Sequence, residues 1–80
     1  MDIPVALKTF GDAVRISEIC ERYNDYFDID MIHGRYVIDA SSILGVESLV
    51  GNNVVIHVAS RPGIEDKLIQ LRDEIINALR

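Results

Sequence analysis

The chain has 80 residues, 49% of them hydrophobic, with no tryptophan, a net charge of −5 and a pI of about 4.7. So short a chain makes one domain with an efficient core. Its acidic balance disfavours nucleic acid. No apolar run is long enough to span a bilayer, no signal-peptide pattern opens the chain, and the single Cys20 rules out a disulfide framework or a cysteine-built metal site, so the expectation is a cytoplasmic protein without cofactor.

Ile3, Val5 and Leu7 alternate with Pro4, Ala6 and Lys8, the period of a strand, and Pro4 suggests an edge because proline cannot donate to a ladder. Thr9-Phe10-Gly11 turns the chain, and Asp12 is expected to cap the helix that follows. From Ala13 to about Tyr26, Val14, Ile16, Ile19, Cys20 and Tyr23, with Phe27 just beyond, recur at helical spacing. Arg15, Glu18, Glu21 and Arg22 lie outside, and Glu18 and Arg22 form an i, i+4 pair. Asp28 to Ile32 alternates as a second strand, His33-Gly34 is a tight turn, and Arg35 to Ala40 is a third strand.

The period then changes. Ser41 and Ser42 are capping residues, and Ile43, Val46 and Leu49 or Val50 fall three to four apart, as on a short two-turn helix stopped by a left-handed Gly51. Gly51-Asn52-Asn53 is a turn, and Val54 to Ala59 is rich in β-branched residues, the strongest strand signal in the chain. Pro62 suits the first turn of a last helix. Ile64, Leu68, Leu71, Ile75 and Leu79 make its stripe, with Glu65, Asp66, Lys67, Arg72, Asp73 and Glu74 on the other faces. The order is β-α-β-β-α-β-α. It predicts an α+β open-faced two-layer sandwich, with a four-stranded antiparallel sheet covered by three helices on one face and water on the other.

This order, with Ser42-Ile43-Leu44-Gly45-Val46 opening the second helix and Ser48-Leu49 following, resembles the HPr family, the phosphocarrier proteins of the bacterial sugar phosphotransferase system. The resemblance covers nearly the whole chain. It implies that Ser42 matches a serine phosphorylated by a regulatory kinase, and that Ile43 and Leu44 belong to a surface that docks partner proteins. The family's active-site run, Gly-x-His-Ala-Arg-Pro-Ala, falls on Gly11 to Ser17. Gly11 and Arg15 match, but Ala13 occupies the histidine position and Ile16 the proline position. A phosphocarrier needs a nucleophilic imidazole nitrogen, which alanine lacks. The resemblance therefore implies the scaffold without the usual carrier chemistry. Glu47 stands where the family commonly has an apolar residue, often methionine. A carboxylate left desolvated there costs a partner interface about 1–3 kcal/mol.

Each candidate side chain has a plainer role beside the functional one. Arg15 is a phosphate or carboxylate clamp near a positive helix end, or a solvated helix arginine. Ser42 caps a helix, a contribution of about 1 kcal/mol, or also accepts a phosphate there; Ser41 is the other possible cap. His33 in a turn and His57 in a strand have no partner at metal-ligand spacing and read as solvated. Cys20 on the inner stripe reads as a small hydrophobe, and Asp28 and Asp30 share one strand face as solubilising charges.

Three functions follow as expectations. The first is a regulatory, partner-binding module that does not carry phosphate on histidine, with a serine kinase, phosphotransferase proteins or a transcription factor as partners; a catabolite-repression relative in the family likewise lacks the histidine. The second is a carrier that uses His33 or His57. The third is a scaffold that dimerises through Val55, Val37 and Ile32 on the exposed sheet face or through the Pro4 edge.

Overall fold

A computed structural model describes residues 1–80. The elements are β1 (Asp2–Leu7), α1 (Phe10–Arg22), β2 (Asp28–His33), β3 (Tyr36–Asp39), α2 (Ile43–Glu47), β4 (Asn52–Ala59) and α3 (Glu65–Ala78). All strand pairs are antiparallel, in the order β1-β4-β2-β3. Pro4 is thus on an edge strand, as its missing N–H requires. The predicted element order and the four-stranded sheet with three helices on one face are what the chain adopts.

Strand alternation sorts the sheet into two faces. Ile3 and Leu7 of β1, Ile29 and Met31 of β2, and Val54, Ile56 and Val58 of β4 point inward and are buried. They meet Ala13, Ile16 and Cys20 of α1, Val46 of α2, and Leu71 and Ile75 of α3 in one apolar cluster. Ile64, Leu68 and Leu79 pack against that cluster, so the whole predicted α3 stripe faces it. Burying a side chain of this size stabilises the fold by about 1.5–3 kcal/mol. No helix is long and apolar enough to cross a membrane.

Several boundaries differ from the sequence expectation, each for a local reason. α1 starts at Phe10 because Thr9, not Asp12, is its N-cap. Its phase is set by Ala13, Ile16 and Cys20, which leaves Val14 exposed rather than on the inner stripe, and the helix ends at Arg22 instead of about Tyr26. Arg22 pairs with Glu74 of α3 at 3.0 Å, not with Glu18. The β2–β3 hairpin turns on Gly34-Arg35, with His33 and Tyr36 paired; Gly34 at φ 57° supplies the left-handed first position. α2 is five residues long, so Leu49 is buried from the turn that follows. Gly51 is left-handed, as expected, at φ 95°. Its N–H donates to the Leu7 carbonyl at 2.7 Å, and the ladder starts at once, so Asn52 and Asn53 belong to β4 rather than to a turn. Pro62 lies outside α3. Gly63 at φ 92° makes a turn, and its N–H donates to the Glu65 carboxylate at 3.2 Å.

Candidate functional site

The starts of α1 and α2 lie on the helical layer, and the two helices pack against each other. The α1 start is closed by its own side chains. The Thr9 hydroxyl accepts the Asp12 N–H at 3.1 Å, and the Asp12 carboxylate accepts the N–H groups of Thr9 and Lys8, each at 3.1 Å. This is a capping box with aspartate in the third helical position. Arg15 closes it further, donating to Asp12 Oδ1 at 2.5 Å and, through Nε, to the Ala78 carbonyl at the end of α3 at 3.2 Å. Partial burial alone would raise the Asp12 carboxyl, but the two backbone N–H groups and the arginine outweigh it and hold the carboxyl below its ordinary value. Where an anion clamp was expected at Arg15, the chain supplies the anion itself.

Ala13, matched by motif to the phosphorylated histidine, is fully buried one turn past the cap, among core residues. A side chain at that position points into the core and cannot present a phosphate. Thr9, Phe10 and Gly11 are the exposed residues at the helix tip. Ala13 is a core residue.

The α2 start is built in the opposite way. Ser42 occupies the N-cap position and is exposed, but its hydroxyl makes no capping hydrogen bond, contrary to the expected cap; only its backbone is used, the N–H donating to the Asp39 carbonyl at 3.1 Å and the carbonyl accepting the Val46 N–H at 2.9 Å. Ser41 does not cap either. Its N–H and its hydroxyl both donate to Asp39 Oδ1, at 2.9 and 2.7 Å. The Asp39 turn thus fixes the approach to α2, and the Ser42 hydroxyl is left without a protein partner. Beside it, Ile43 and Leu44 are 37% and 78% exposed. On α1, Phe10 and Val14, one turn apart, are 64% and 38% exposed. They lie on the side of α1 away from Arg15, which faces α3. Glu47 ends α2 half-buried and makes no ion pair. Thr9 and Phe10 read as turn residues in the sequence; the Thr-x-x-Asp spacing is the signal that places them at a helix start.

Neither histidine bonds to α1. His33 Nδ1 lies 3.1 Å from the Asn53 carbonyl, and His57 Nδ1 lies 2.6 Å from Asp2 Oδ1. His57 points to the open face of the sheet. Cys20 is buried, and that burial pushes its thiol up to about 12, which makes it inert as a nucleophile.

Comparison of the whole fold with solved structures finds two matches. The chain superimposes on HPr-C-His from Thermoanaerobacter tengcongensis with a TM-score of 0.68 and 20% identity, covering 99% of this chain and 94% of that one. The chain has the HPr fold. The histidine-containing phosphocarrier protein of Mycoplasma agrees, with a TM-score of 0.66 and 16% identity over 99% of this chain and 97% of its own. No family model and no curated protein matches the sequence.

Proposed function

We propose that this chain is a protein-binding, regulatory module on the HPr fold, related to the phosphotransferase system, which docks partners through α2 and the adjoining side of α1 and does not carry phosphate on histidine. The observation that carries the reading is the pairing of a closed α1 start with an open α2 start. The first has no imidazole, and there Thr9 and Asp12 exchange side-chain hydrogen bonds with each other's backbone N–H groups. The second offers the unbonded Ser42 hydroxyl among exposed Ile43 and Leu44, with Phe10 and Val14 on the neighbouring helix. Exposed large apolar side chains gathered on one side of so small a domain suit a partner surface.

In this reading the module is a cytoplasmic protein and not an enzyme. Its partners are phosphotransferase or regulatory proteins: a serine kinase acting on Ser42, and a transcription factor or sugar-transport protein that reads the result. Phosphate on Ser42 would set about two negative charges beside Ile43 and Leu44 and switch docking there. Glu47 already makes that surface more acidic, so its partners differ from those that dock an apolar helix. Arg15 acts through Asp12, holding the α1 start in shape, rather than on an incoming anion. The test is incubation with an HPr serine kinase and ATP, read by intact mass. One phosphoryl group is expected on the native protein and none on Ser42→Ala; an unmodified native protein contradicts the phosphoserine part of the reading.

A further inference from the structure

The open face of the sheet carries two parallel cross-strand rows, one apolar and one acidic. The register sets Pro4 opposite Val55, Val55 opposite Ile32, and Ile32 opposite Val37, so an apolar row crosses all four strands. One step along each strand on the same face, Asp2 lies opposite His57, His57 opposite Asp30, and Asp30 opposite Asp39. Rows so placed lie roughly 7 Å apart and run roughly 14 Å across the sheet. Val37 is 61% exposed, and a shallow depression opens against Pro4, Ala6, Asn53 and Val55 at the other end.

The acidic row is not neutralised within the chain. No outward position of the four strands is lysine or arginine. His57 is drawn to Asp2, and its hydrogen bond holds the Asp2 carboxyl below its ordinary value. Asp39 takes hydrogen bonds from Ser41, while Asp30 has no hydrogen-bond or ionic partner. Two carboxylates directly opposite on neighbouring strands oppose folding in the free protein. The row does not converge into a group able to hold a metal ion.

We propose that this open face is a second docking surface, taken by an amphipathic helix of a basic partner protein whose apolar stripe covers the Pro4–Val55–Ile32–Val37 row and whose bordering lysine or arginine side chains meet the Asp30 and Asp39 row. A helix laid over an open sheet face is the ordinary way to bury it. Charge selects the kind of helix. A second copy of this chain, itself at −5, would set carboxylate against carboxylate, and an anionic membrane or a nucleic acid would be repelled in the same way. The surface is separate from the α1–α2 side, and the proposal stands whether or not Ser42 is ever modified.

The test is a titration of the nitrogen-15-labelled full chain with a synthetic helical peptide bearing one leucine stripe bordered by lysines, and with the same peptide carrying glutamates for lysines. The lysine peptide is expected to bind at least about tenfold tighter, to weaken as salt is raised, and to shift the amides of Ile32, Val37, Val55 and His57. Asp30→Asn and Val37→Ser, changes of partly or well exposed side chains, are each expected to weaken it about threefold or more while the spectrum stays folded. Equal binding of the two peptides, shifts centred on α1 and α2, unchanged binding by both variants, or self-association through this face in light scattering would each overturn the proposal.

Discussion

The starts of α1 and α2 look alike in sequence: each has a hydroxyl residue ahead of an apolar helix, Thr9 and Ser42. In the fold they are opposites. At α1 the hydroxyl, a carboxylate and a guanidinium satisfy one another, so the positive helix end is occupied by the chain's own Asp12. At α2 the hydroxyl is idle, because Asp39 already holds Ser41 and sets the turn. A capping residue is therefore no guide to what a helix start does until the side chains around it are placed. The closed start is structural, and the open one is where the proposed reading puts chemistry from outside.

Four perturbations sharpen or break that contrast. The largest expected effect comes from restoring the imidazole at the motif-matched position. Ala13→His forces a bulky polar ring into a fully buried site and should cost about 2–5 kcal/mol in urea unfolding, without creating a carrier; native stability in that variant would mean that Ala13 is not the core residue described. Next, Thr9→Ala should lose about 1 kcal/mol, whereas Ser42→Ala should change stability by less than about 0.5 kcal/mol, since no capping bond exists to lose. Equal losses at the two positions would erase the contrast.

The third perturbation is pH. The Asp12 carboxyl is lower in the folded chain than its ordinary value of 3.8. The unfolded state therefore binds the proton first, so the stabilisation is full above that ordinary value and is lost as pH falls through the folded one. Thermal melts should show an acid-side decline that is shallower in Asp12→Asn; parallel profiles for the two proteins would remove Asp12 from the account. The smallest effect belongs to the open face. Asp30→Asn relieves the like-charge pairing with Asp39 and should stabilise the free protein by about 0.2–1 kcal/mol at low salt. A destabilised variant would show that Asp30 is held by favourable contacts instead.

The sequence carried the layers well. Alternation in β1 and β2, the β-branched run of β4 and the α3 stripe depend only on each element's own residues, so the element order could be read directly. The site was legible only in part. Gly11 and Arg15 fit the family motif and fixed a register that set Ala13 at the tip, yet Arg15 is positioned by Asp12 and by Ala78, which is 63 residues away in sequence. Thr9 and Asp12 are both capping residues three apart, and only the backbone shows that they act together. Ile43 and Leu44 were anticipated beside Ser42, but the idle hydroxyl depends on how Asp39 shapes the turn. The acidic row joins residues of four strands and exists only once their register is known.

The claim that the chain does not carry phosphate on histidine is tested most directly by incubating the native chain with phosphoenolpyruvate and the first enzyme of the sugar phosphotransferase system, then reading intact mass before and after acid. An unshifted mass is predicted. A gain of one acid-labile phosphoryl group, lost in His33→Ala or His57→Ala, would contradict it.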